Sequence, residues 1–182
     1  LFTAIAIKLD SEGPVLYVTE RIGLNGKPFS FWKFRSMITR TEEQEIAERR
    51  DGMDRVFSGN VSSGDLTKVV RNDQITNVGS FIRKASIDEL PQLFSVLIGT
   101  MSLVGPRPPL PYEVEHYKSW HMKRFDAKPG ITGLWQLLAR SRTTHDEMVL
   151  IDLYYLENQT FMMDIEILIK TIPVVLSAEG AK

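Results

Sequence analysis

No cysteine occurs among the 182 residues. Disulfides, thiol nucleophiles and iron–sulfur ligation are thereby excluded, and the composition suits a reducing compartment. An excess of charge of one sign is missing too, since 22 Lys and Arg against 23 Asp and Glu leave a formal net charge of −1. So balanced a chain projects no global basic field toward nucleic acid, and its cations matter only as local clusters. No apolar run reaches the roughly 20 residues that span a bilayer. Leu1 to Ile7 is apolar but short, and it lacks the basic flank and cleavage site of a signal peptide. The phosphate-binding patterns Gly-x-x-x-x-Gly-Lys and Gly-x-Gly-x-x-Gly are absent, as is a metal-binding Asp-x-Asp. The three histidines, His116, His121 and His145, do not have zinc-ligand spacing, which points to surface or core roles for all of them.

What is present is concentrated in Ser86-Ile87-Asp88-Glu89-Leu90-Pro91-Gln92-Leu93, preceded by Arg83 and Lys84. Two carboxylates about 6 Å apart repel by roughly 3 kcal/mol at an effective dielectric of 20, so a pair held together needs a counter-charge. One reading is a capping box from Ser86 to Glu89, with the acids favoured by the helix dipole. The other is a reactive pair. Pro91 cannot donate a hydrogen bond inside a helix, which predicts a turn or a kinked helix start with the carboxylates facing a cleft. Shortly after comes Gly105-Pro106-Arg107-Pro108-Pro109, where prolines fix the backbone on both sides of a fork-shaped cation.

At this length the chain reads as one domain with a real core. Val15 to Thr19 and Phe29 to Arg35 read as strands, and Asn25-Gly26 between them tolerates the positive backbone angles of a tight hairpin. In the second strand Phe31, Lys33 and Arg35 share one face. Thr41 to Arg50 reads as a surface helix, Asp51 to Asp65 as a mobile loop, and Val78 to Ile87 as a short helix presenting Arg83. Leu93 to Leu103 is apolar and broken by Gly99, suiting either a buried helix running into a strand or a surface resting on lipid. Tyr112 to Arg124 suits a membrane interface and an ordinary amphipathic helix equally. Lys128 to Gly133 reads as a turn whose N–H groups can form an anion nest. Two helices follow, at Asp146 to Asn158 and Phe161 to Leu176, the latter with a stripe of Ile165, Leu168, Ile169, Ile172 and Leu176.

The run from Arg83 to Pro108 resembles the core signature of the bacterial sugar transferases, the monotopic polyprenyl-phosphate phosphoglycosyl transferases. Four other blocks agree in order: Leu9-Asp10-Ser11 with Gly13-Pro14, Glu20-Arg21-Ile22-Gly23, Lys33-Phe34-Arg35-Ser36-Met37, and Lys128-Pro129-Gly130-Ile131-Thr132-Gly133-Leu134-Trp135-Gln136. Any one block is weak, but the ordered set is specific and runs nearly end to end. The resemblance implies an α+β, helix-dominated catalytic domain over residues 1–182, with a β-hairpin. It also implies association with the cytoplasmic face of a bacterial inner membrane, Leu1 to Ile7 being the end of a re-entrant membrane helix that lies largely upstream.

The implied reaction moves a sugar-1-phosphate from a UDP-sugar to polyprenyl phosphate with Mg²⁺, initiating a surface polysaccharide or related glycan. By the same resemblance Asp88 is the nucleophile that carries a covalent phosphosugar, and Glu89 is a metal ligand. Lys33, Arg35, Arg83 and Arg107 meet phosphate, Gln136 and Arg140 contact the nucleotide, and Asp152 stands near the metal. Expected partners are the UDP-sugar, polyprenyl phosphate and membrane lipid but no nucleic acid, with a homodimer as a possible assembly. Thr19, Asn72-Asp73-Gln74 and Ala139 depart from the family's usual glutamine, Asp-Pro-Arg and glycine, so no sugar preference carries over. Two other classes stay open from the residues: a soluble metal-dependent phosphohydrolase using the same acidic pair, and a non-catalytic membrane-surface module in which Asp88 and Glu89 only cap a helix.

Overall fold

The hairpin forms where the β-branched and aromatic runs predict it. In the computed structural model, which describes residues 1–38, 47, 74–138 and 143–176, β1 (Leu16–Ile22) pairs antiparallel with β2 (Pro28–Phe34), from Leu16 opposite Phe34 to Ile22 opposite Pro28. Asn25 and Gly26 close the connection with φ of 57° and 70°, the left-handed angles that this dipeptide tolerates. The helix expected over Thr41 to Arg50 and the loop expected over Asp51 to Asp65 lie outside the described residues, Ala47 apart.

Helix α1 (Phe2–Asp10) ends against α2 (Asn77–Lys84), where Asp10 Oδ2 accepts the Val78 N–H at 2.9 Å. Thr76 caps α2 by accepting the Gly79 N–H, satisfying one of the orphan donors of its first turn. Gly79 is required by close approach, since a Cβ there would stand 1.9 Å from the Ser36 carbonyl oxygen. Helix α2 stops at Lys84, three residues earlier than the sequence suggests, because Ser86 turns left-handed with φ of 52°.

Beyond it come α3 (Gln92–Leu97), a left-handed Gly99, and β3 (Ser102–Val104). Strand β3 pairs in parallel with β4 (Gly130–Thr132), and the chain between them carries α4 (Pro111–Val114) and a 3₁₀ segment Ser119–Asp126. This corrects two expectations. Tyr112 to Arg124 is not one amphipathic helix, and Tyr112, His121 and Arg124 within it are buried in the protein. Lys128 to Gly133 is not an anion nest, because the Gly130 N–H donates to the Pro106 carbonyl and the segment is drawn into the parallel pair.

Helices α5 (Leu134–Leu138), α6 (His145–Asn158) and α7 (Phe161–Leu176) complete the described fold. Val104, Tyr155 and Ile167 form one buried cluster, and Trp135, Met148 and Val149 another. Helix α7 has the expected bounds, and Leu168 of the apolar stripe packs against the Val104 cluster. Ile167 is buried and Thr171 bonds Thr132 from α7, whereas Ile169 and Ile172 of the expected stripe are exposed. The architecture is α+β, with helices around two small sheets. Among the described residues no helix is long and apolar enough to cross a membrane.

Candidate active site

Asp88 and Glu89 sit on a 3₁₀ turn, Ile87–Glu89, wedged between α2, α3 and β2. Ser86 makes no side-chain cap to that turn, so the capping-box reading fails on geometry. The Ser86 N–H closes the end of α2 on the Arg83 carbonyl instead, and its own carbonyl accepts from the Glu89 N–H. The turn stands where Pro91 predicts it. Asp88 is buried and Glu89 is half-buried, so the adjacent carboxylates have different surroundings.

Burial raises the Asp88 carboxyl above its ordinary range, Lys33 opposes the rise, Glu89 adds to it, and Arg83 opposes it more weakly. A desolvated carboxylate held ionised by neighbouring cations is a stronger nucleophile than one in water. Lys33 reaches this site from β2 and places its ammonium 2.6 Å from Glu89 Oε1. Arg83, at the last turn of α2, completes the circle of charge. The structure thus brings together Lys33, Arg83, Asp88 and Glu89 from three elements.

Arg35 is directed elsewhere. Its Nε donates to the Pro14 carbonyl at 2.6 Å, and its two terminal nitrogens donate to Ser11 Oγ at 2.6 Å and the Ser11 carbonyl at 2.8 Å. At 4% exposure it holds the loop between α1 and β1, and it is not among the cations that act on Asp88.

Asp152 is enclosed as well. It is 2% exposed, and its Oδ2 receives Arg124 Nη2 at 2.6 Å deep in the fold. Burial raises its carboxyl, opposed by Arg124 and by Arg107, so the charges acting on it belong to the Arg107 loop and not to the acidic turn. A carboxylate so enclosed and already paired does not fit a hydrated divalent cation, which keeps several waters. Glu89 does fit one. It offers a carboxylate at the protein surface beside the candidate nucleophile, and the Lys33 ammonium can yield it to a doubly charged ion. Arg107 itself is half-buried, and its charge acts on the buried Asp152 and on Tyr117. Gln136 lies in α5 beside the turn that follows β4, with Nε2 3.4 Å from the Ile131 carbonyl. Arg140 lies outside the described residues.

Next to the acidic turn, α1 and α2 enclose an apolar groove of about 460 Å³ lined by Phe2, Ala6, Val78, Phe81 and Ile87. Sequence spacing gave no sign of a second polar cluster, in which His121, His145 and Asp146 converge within 4.8 Å. His121 Nδ1 accepts the Lys118 N–H at 3.2 Å, so in the neutral ring the proton is on Nε2, which faces Asp146 Oδ1 at 3.1 Å. Both histidines are core residues, as the sequence suggests.

The bacterial sugar transferase family model matches residues 1–178. The chain belongs to that family. It is 43% identical over 183 residues to the galactosyl transferase CpsE of Streptococcus agalactiae, covering 100% of this chain and 39% of that protein. It is 44% identical over 169 residues to the undecaprenyl-phosphate galactose phosphotransferase of Salmonella typhimurium, covering 93% of this chain and 35% of the relative. A UDP-glucose:undecaprenyl-phosphate glucose-1-phosphate transferase of Caulobacter vibrioides is 36% identical over 189 residues, covering 100% of this chain and 64% of that protein. The chain therefore spans between about a third and two thirds of the length of these relatives.

Proposed function

We propose that this bacterial sugar transferase moves a sugar-1-phosphate from a UDP-sugar to polyprenyl phosphate. The observation that carries the reading is the buried Asp88 carboxylate on its turn, flanked by Glu89 and faced by Lys33 and Arg83. An Asp88 oxygen attacks the phosphorus that bears the sugar. The bond from that phosphorus to the bridging oxygen breaks, and UMP leaves with the electron pair. The phosphosugar then sits on Asp88 as an acyl-phosphate. A phosphate oxygen of the acceptor attacks the same phosphorus and returns Asp88 as a free carboxylate, giving polyprenyl-diphosphate-sugar.

Glu89 is the residue suited to hold Mg²⁺, which when bound supplies charge neutralisation at the donor diphosphate. Lys33 and Arg83 balance the anions gathered at the turn, and Arg107 offers a fork-shaped donor set for phosphate. The apolar groove ending at Ile87 suits the isoprenoid tail, whose phosphate must reach the neighbouring Asp88. Names of relatives that carry undecaprenyl phosphate and UDP-glucose support acceptor and donor alike. The cytoplasmic face of a bacterial inner membrane is the setting in which such substrates meet.

Incubating the full-length protein with UDP-galactose or UDP-glucose and Mg²⁺, without acceptor, tests the mechanism. UMP should be released and a phosphosugar should remain on the peptide containing Asp88, detected by mass spectrometry. Turnover with no adduct on that peptide overturns the covalent step.

A further inference from the structure

Five residues from Gly105 to Pro109 include three prolines, which donate no backbone hydrogen bond, so this loop is held mostly through its carbonyls, with the Gly105 N–H donating to the Thr132 carbonyl at 2.9 Å. Four consecutive carbonyls are indeed held, each by a different donor. Pro106 O accepts from the Gly130 N–H at 2.9 Å, and Pro109 O from the Ile22 N–H at 3.0 Å. Between them, Arg107 O accepts from Arg124 Nη2 at 3.0 Å, and Pro108 O from Arg21 Nη1 at 3.0 Å. Arg124 and Arg21 are both buried, at 3% and 9% exposure.

Using a buried arginine to grip one carbonyl is costly unless its charge is met. For Arg124 it is met by Asp152 Oδ2 at 2.6 Å, and Nη1 donates to the Tyr117 hydroxyl at 2.6 Å. In the stretch from Val104 to Leu110, every residue except Arg107 is buried. Arg107 is thus the one half-buried residue on a backbone fixed at four points.

We infer that Arg124 and Asp152 are a positioning pair, which holds the Arg107 peptide so that its guanidinium meets the donor diphosphate in a fixed place. The inference rests on the reading that Arg107 binds phosphate. A guanidinium held this way loses little freedom when it binds, and affinity for the diphosphate is the quantity the pair should control.

The test measures UDP affinity by calorimetry in the full-length protein, with Mg²⁺ present, as a two-by-two cycle. One axis is Arg107→Ala. The other is the joint replacement Arg124→Met with Asp152→Leu, which removes both charges together and strands neither in the core. Each change alone should weaken UDP about tenfold, the loss of one charge-assisted hydrogen bond. Combined, they should weaken it no further than Arg107→Ala alone. Losses that multiply in the combined variant, or wild-type affinity in the pair variant beside a weakened Arg107→Ala, overturn the positioning role. Wild-type affinity in Arg107→Ala removes Arg107 from the phosphate site and the inference with it, a separate failure read from that variant alone. If the joint replacement does not fold, Asp152→Asn takes its place in the same cycle with the same criteria.

Discussion

Lys33 Nζ stands 2.6 Å from Glu89 Oε1, at the edge of the turn that buries Asp88. Both partners are about a third exposed, so the pair adds little to stability, of the order of 0–1 kcal/mol. Its weight falls on chemistry, because the same ammonium is the largest influence keeping the buried Asp88 carboxyl ionised. Lys33→Met should therefore leave the unfolding midpoint nearly unchanged while lowering kcat/KM by about a hundredfold, the scale seen when one preorganised charge is lost from a site. Steady-state kinetics beside a denaturation curve check both halves. A variant that unfolds early but turns over normally once folded would place Lys33 in the scaffold.

Asp88 itself costs the fold stability. Burial raises its carboxyl, so the folded state favours the protonated form, and the associated stability is present at low pH and is lost as pH rises through the folded value. At neutral pH the ionised group is held at a cost that the amide of Asp88→Asn does not carry. That variant should melt a few degrees higher than wild type at neutral pH, with the gain shrinking on acidification, while adduct and turnover disappear. Calorimetric melts at two pH values together with the adduct assay decide it.

The hairpin, the acidic turn and the bounds of the last helix were legible in the sequence because each depends on local chemistry. Asn25-Gly26 needs only its own backbone angles, and Pro91 acts only on its own neighbourhood. The parts that local sequence does not reveal depend on distant partners. The resemblance sets Asp152 near the metal, and nothing in its spacing shows that Arg124, 28 residues away, is brought onto it. Arg21 grips Pro108 across 87 residues, and no periodicity encodes that contact. In α7 apolar residues lie on more than one face, so the pattern alone cannot choose Ile167 over Ile169 as the inner one. The Ser86–Glu89 spacing fits a capping box, but the left-handed Ser86 that ends α2 removes the geometry it needs.

Acid should loosen the region around α6. Burial, with help from Arg124, lowers His145 from its ordinary 6.5 to about 3, and burial lowers His121 as well. The unfolded chain therefore binds protons that the folded chain refuses, so stability falls as pH drops from about 6.5 toward 3. The contribution of one such group is at most about 1.4 kcal/mol per pH unit. Asp146, lowered chiefly by its hydrogen bond from Lys118, adds a loss of the same sign in the carboxylate range. His145→Phe keeps a ring among Tyr117 and His121 and should flatten the upper part of this dependence. Urea midpoints across pH 4–7 measure the slope, which should stay unchanged if His145 does not titrate on unfolding.

Gly79 allows α2 to approach the end of β2, and α2 carries Arg83 to the site. Gly79→Ala places a methyl within 1.9 Å of Ser36 O, a backbone atom that cannot swing aside. The helix must shift, at a cost of about 3 kcal/mol. Turnover should fall with the fold, and both should return when the variant is assayed in a stabilising osmolyte. Wild-type stability in Gly79→Ala would show that α2 docks less closely than the structure has it.

The surface around α3 should govern contact with lipid. Leu97 is 84% exposed, Ile98 57% and Phe94 49%, a run of large apolar side chains with no protein packed over them among the described residues. Phe94 is braced from beneath by Trp32, their rings stacked at 5.2 Å, so the run is presented by a stiff support. Each such side chain withdrawn from water is worth about 1.5–3 kcal/mol when fully buried, enough for a few of them to hold an interface. Leu97→Asp with Ile98→Asp should weaken partition of residues 1–182 into vesicles of bacterial lipid at least tenfold, while soluble UDP-sugar still binds. Flotation assays on wild type and variant give the ratio. Equal partition of the two would mean that α3 faces something other than the bilayer.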